Sequence, residues 1–174
     1  KRIVDYGYGG IGHLRLMALC GADAVGVDVD PMLPMLYNQP DDQGEIKPRT
    51  GKPGRVTIVD GRWPADDAAR KSVGQGFDVF LSKNTLKKGY IHPEQMVDDR
   101  MLVKLGVDDS KFVQAMFDVL KPGGIALIYN ICPAKTPVGV NYKPWSDGRS
   151  PFMREMYEKA GFTIAEFDTD DTPQ

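Results

Sequence analysis

The chain has 174 residues, 41% of them hydrophobic and 26% charged, which suits one globular domain and excludes a disordered chain. Lysine and arginine number 22 against 24 acids, a formal charge of −2, so no global positive field is present to hold a phosphate backbone. No apolar run approaches the ~20 residues that span a bilayer, and the two cysteines, Cys20 and Cys132, form no zinc-type cluster, so a reducing, cytoplasmic setting and no membrane partner are expected.

In chain order, strands are predicted over 3–5, 24–29, 55–59, 77–82, 124–130 and 163–167, each a short run rich in β-branched or aromatic residues. Between them, helical spacing over 13–20 stops at Gly21. A second helix over 64–73 opens on Pro64 and acids. A third over 110–120 places Phe112, Met116, Val119 and Leu120 on one face. In a fourth, Ser150 caps, Pro151 takes the first position and Gly161 closes. Strands alternating with helices predict an α/β, Rossmann-like doubly wound sheet, mostly parallel, with helices on both faces. The whole of 1–174 reads as one domain, and the missing initial methionine reads as a portion of a longer polypeptide. Two polar, Pro/Gly-rich loops interrupt the pattern, at 38–54 and 133–149; the second carries Tyr142 and Trp145.

The opening strand runs into Asp5-Tyr6-Gly7-Tyr8-Gly9-Gly10-Ile11-Gly12 and then a helix. Glycines at such a bend permit positive φ and a ligand's approach to the main chain. The spacing satisfies the dinucleotide fingerprint, and Asp28 follows about 20 residues later, where an acid receives ribose hydroxyls. Asp5, just before the glycines, would repel a diphosphate by Coulomb energy and suits a cationic ligand.

From these residues the chain resembles the class I S-adenosylmethionine-dependent methyltransferases, whose first motif is an acid-x-Gly-x-Gly loop after strand one. The resemblance implies that Asp5, Gly7 and Gly9 contact the amino-acid part of S-adenosylmethionine. The loop departs from the usual acid-x-Gly-x-Gly-x-Gly by having Ile11 at the last place and glycine at Gly10 and Gly12, a one-residue shift. Gly26-Val27-Asp28-Val29-Asp30-Pro31 is similar to the family's second-strand end, which gives Asp28 the ribose. Val59-Asp60-Gly61-Arg62-Trp63 is similar to the segment after strand three, which gives Asp60 the adenine amino group, and Trp63 is placed to stack on the adenine face. Phe77-Asp78-Val79-Phe80 and Leu120-Lys121-Pro122-Gly123-Gly124 complete the likeness, which spans nearly the whole chain.

The acceptor side falls after strand four, in Ser82-Lys83-Asn84-Thr85-Leu86-Lys87-Lys88-Gly89-Tyr90-Ile91-His92-Pro93, where Asn84, Tyr90 and His92 are the candidates for orienting a substrate or removing a proton. Lys83, Lys87 and Lys88 suit an acidic substrate or a merely solvated loop. His13 stands at a helix start. The paired aspartates at 41–42, 66–67, 98–99, 108–109 and 170–171 lie where helices or turns begin, so no metal site is expected. The expected activity is methyl transfer to a small molecule, in preference to protein or nucleic acid. The alternatives are an NAD(P)-dependent oxidoreductase using the same glycine loop and a non-catalytic nucleoside-binding module.

Overall fold

A computed structural model describes residues 1–133, 137–141 and 144–170; Tyr142 and Asp171 lie outside the described residues. The strands are β1 (Arg2–Tyr6), β2 (Asp23–Asp28), β3 (Gly44–Ile46), β4 (Gly54–Asp60), β5 (Phe77–Lys83) and β6 (Leu120–Tyr129). They form one sheet in the order β3-β4-β2-β1-β5-β6, parallel throughout except for β3, which pairs antiparallel with β4. The helices are α1 (Gly12–Leu19), α2 (Met32–Leu36), α3 (Asp67–Val73), α4 (Lys88–Ile91), α5 (Asp109–Val119) and α6 (Arg154–Ala160). This is a Rossmann-like α/β fold.

Alternation along each strand divides the core into two layers. On one face Val4 and Tyr6 of β1, Val25 and Val27 of β2, and Phe80 of β5 meet α3, α5 and α6. On the other, Leu14 and Ala18 of α1 and Leu33 of α2 pack against Ala24 of β2, Ile46 of β3 and Val56 of β4. The first layer is strongly aromatic: Tyr6, Trp63, Phe80 and Phe112 interlock with ring centroids 5.1 to 6.3 Å apart.

Four expectations are corrected. No strand forms over 163–167. Phe162, Ile164 and Phe167 instead pack as irregular chain against the first layer, with Phe162 5.1 Å from Phe117. Asp168 then turns with φ +51° and its carboxylate accepts from the Ser150 N–H at 2.6 Å. The helix expected from Pro64 begins at Asp67, because the Asp66 carboxylate accepts from the Arg62 N–H at 2.7 Å and holds the preceding residues in a turn. Ser150 does not cap a helix starting at Pro151. Its hydroxyl closes a local turn on Phe152 and meets the Tyr157 hydroxyl at 3.1 Å, and α6 begins at Arg154. The loop expected over 38–54 contains β3 and is therefore part of the sheet edge.

Candidate functional site

The chain moves from β1 to β2 on one side and later returns to place β5 on the other, so the order reverses between β1 and β5. In open sheets of this kind a crevice forms beyond the carboxyl ends of the strands at that reversal. The glycine turn sits there. Gly7 donates its N–H to the Val27 carbonyl at 2.8 Å, tying the turn to β2, and the Thr85 hydroxyl donates to the Gly7 carbonyl at 3.2 Å, tying it to the segment after β5.

Both Gly7 and Gly9 have positive φ, +71° and +57°. Their surroundings differ. A Cβ on Gly7 would stand 2.3 Å from the Thr85 hydroxyl oxygen, whereas at Gly9 it would meet nothing within 4 Å. Gly9 is exposed and presents bare backbone to the crevice, while Gly7 has its Cβ side filled by protein.

Asp28 is fixed at the end of β2. One carboxylate oxygen accepts from the N–H groups of Val29 (2.8 Å) and Asp30 (3.1 Å), and the other from Gly9 N–H at 3.1 Å. The acid is half-exposed and oriented on both sides, with lone pairs left for a diol. Asp60 is its register partner on β4 and is exposed at the neighbouring strand end. Tyr8 lies among these charges. Burial first, then Asp28, Tyr37, Asp60 and Asp30, push its phenol well above the ordinary range. The Tyr6 phenol is raised likewise, by burial and then by Asp28.

Asp5 is fully buried beneath the turn. One of its oxygens pairs with Nε2 of His13, from the first turn of α1; the other has no partner among the described residues. Sequence reasoning left His13 as a solvated helix start. The available signal was an acid at a strand end followed eight residues later by a histidine opening the next helix.

The acceptor-side candidates separate. Asn84 takes φ +58°, and its carboxamide oxygen accepts from the Ile131 N–H at 2.7 Å, so it latches the chain after β5 to the chain after β6. Tyr90 packs its ring on Trp145, with centroids 5.3 Å apart. His92 lies farther along, its Nε2 2.8 Å from the Asp109 carboxylate at the start of α5. Trp63 is corrected outright: only 3% exposed and enclosed by Tyr6, Phe80 and Phe112, it has no free face for an adenine.

The arrangement fits S-adenosylmethionine in three respects. An unpaired buried carboxylate oxygen at Asp5 suits an ammonium. Open space stands over Gly9. Asp28 is held in place for a ribose.

No protein-family model matches the sequence, and no curated protein matches it. Among solved structures, the chain is similar to the antibiotic-resistance methyltransferase Kmr, with TM-score 0.48 and 16% identity over 98% of this chain and 82% of that one. It is also similar to a TehB-like SAM-dependent methyltransferase from Corynebacterium glutamicum, with TM-score 0.40 and 18% identity over 73% of this chain and 53% of that one. A SAM-dependent methyltransferase from Methanosarcina mazei gives TM-score 0.41 and 18% identity over 73% of this chain and 50% of that one. The chain thus spans about half the length of the last two. The likeness is one of fold.

Proposed function

We propose that this chain binds S-adenosylmethionine and transfers its methyl group to a small-molecule acceptor. The observation that carries this reading is the buried Asp5 carboxylate, with one oxygen unpaired, directly before a glycine turn, with Asp28 at the end of the adjacent β2 and Asp60 one strand further on β4. A cation about 5 to 8 Å from one of these acids gains about 2 to 3 kcal/mol at an effective dielectric of about 20. Three acids therefore favour a cationic ligand and disfavour a diphosphate. When bound, the cofactor supplies an electrophilic methyl on a sulfonium.

In this reading Asp5 receives the ammonium and Asp28 accepts from both ribose hydroxyls. Asp60 takes the adenine amino group. Gly9 offers backbone without a side chain in the way. Gly7 and Asn84 act on the ligand only by shaping the turn and the loop beside it. Proton removal, where the acceptor needs it, falls to His92, whose ring Asp109 holds.

Calorimetric titration with S-adenosylhomocysteine and NADH side by side tests the assignment. Saturable binding of the first and none of the second is expected, and the reverse result overturns it. Asp28→Ala should weaken S-adenosylhomocysteine binding by about 1 to 3 kcal/mol. His92→Ala should leave that affinity unchanged, because its ring lies outside the nucleoside pocket.

A further inference from the structure

Lys87 is the one lysine or arginine among the described residues that the fold buries, at 5% exposure. Its Nζ donates to the Ile131 carbonyl at 2.7 Å and lies 5.1 Å from the centre of the Tyr90 ring. Among the described residues no carboxylate stands within ion-pair distance of it. Its neighbours are treated differently: Lys88 pairs with Glu94 at 2.7 Å, and Arg149 with Asp147 and Glu94.

An ammonium has three N–H donors, and one carbonyl with one ring face leaves it short of both acceptors and negative charge. Burying a cation without an anion is strongly unfavourable, and a methionine would fill the same space without that penalty. Burial pulls the amine below its ordinary range, while the nearby Cys132 opposes the shift.

The position of this charge matters. Lys87 follows Thr85, which bonds the glycine turn, and it touches the chain after β6, so it sits where the carboxyl ends of β5 and β6 adjoin the crevice. The Tyr90 ring stands beside it and is packed in turn on the half-buried Trp145, with centroids 5.3 Å apart and a tilt of 31°. An aromatic acid reaching this point would meet the ammonium with its carboxylate and the outer face or edge of the packed Tyr90–Trp145 pair with its ring.

We propose that Lys87, Tyr90 and Trp145 form a subsite for a small aromatic carboxylate. The binding of such an anion stands on this geometry alone; its being the methyl acceptor rests on the cofactor reading above. Benzoate, with the neutral isostere benzamide as control, is the probe, and tryptophan fluorescence is the readout. Trp145→Phe leaves only the core Trp63 to report.

Saturable quenching by benzoate is expected, at least tenfold weaker with benzamide, at least tenfold weaker in Lys87→Met, and absent in Trp145→Phe. Equal binding of benzamide, undiminished binding by Lys87→Met, persistent quenching in Trp145→Phe, or no saturable binding to the wild-type chain would each overturn it. If Lys87→Met does not fold, Lys87→Arg, which keeps the charge, must retain benzoate binding. S-adenosylhomocysteine calorimetry on the same protein separates the two ideas. Benzoate binding without S-adenosylhomocysteine binding leaves the subsite and removes the cofactor, and the opposite pair of results does the reverse.

Discussion

Gly7 and Gly9 stand two apart in one turn, both with positive φ, and they are needed for different reasons. A side chain in this conformation is disfavoured by about 1 to 2 kcal/mol at either position. At Gly7 the new methyl would also collide with Thr85, whose Cβ would lie 2.7 Å away, so the turn and the segment after β5 must move apart. At Gly9 the methyl enters open space. Gly7→Ala should therefore lower the urea unfolding free energy by clearly more than Gly9→Ala, which should lose only about 1 to 2 kcal/mol. Ligand affinity should run the other way among variants that still fold, with Gly9→Ala losing S-adenosylhomocysteine binding because its methyl occupies the approach. Equal stability losses would show that Thr85 yields without penalty.

The five parallel strands were legible because each contains a compact apolar run; burial on both faces makes the central ones conspicuous, and β6, at the sheet edge with Ile125, Leu127 and Tyr129 exposed, was marked instead by the Pro-Gly-Gly before its apolar run. β3 was not legible: Gly44-Glu45-Ile46 offers one apolar side chain, and only the exposed edge of β4 makes it a strand. The segment over 163–167 failed in the opposite direction. Its Ile164 and Phe167, three residues apart, pack against the core without pairing to a strand, so apolar β-formers served packing alone. In the site, order and spacing singled out Asp5, Gly9 and Asp28, and the family resemblance singled out Asp60. Lys87 could not, since its burial depends on a contact with Ile131, 44 residues away. Gly54 is a similar case at the start of β4. A Cβ there would fall 2.2 Å from the Ala18 carbonyl oxygen and 2.4 Å from that of Ala22, where the end of α1 crosses the strand. Neither carbonyl can swing away as a flexible side chain would, so Gly54→Ala should force α1 off the sheet. A loss of about 1 to 3 kcal/mol or more, read by thermal or urea unfolding, is expected.

The two ends of the sheet are built for opposite tasks. At the carboxyl ends stand a glycine turn, bare backbone at Gly9 and acids without full partners. At the amino ends, charges are closed on one another across three strands. Asp78 of β5, whose side chain is largely buried, accepts from the Arg2 N–H of β1 at 2.7 Å and pairs with Lys1 and with Lys121 of β6. The ion pair with Lys121, then the hydrogen bond from the Arg2 N–H, hold the Asp78 carboxyl well below the usual carboxylate range against the opposing effect of burial. A carboxyl depressed in the folded state contributes stability that is fully present above its unfolded pKa, about 3.9, and is lost as pH falls toward the lower folded value. The melting temperature should therefore hold steady from neutrality to about pH 4 as far as this group is concerned, and decline below that. Asp78→Asn should lower it at pH 7 and make the decline below pH 4 shallower, because the variant has no proton to take up there. Parallel acid limbs for the variant and the parent, measured calorimetrically, would mean that the amino ends of β1, β5 and β6 are held by their apolar contacts and that the charge cluster adds nothing.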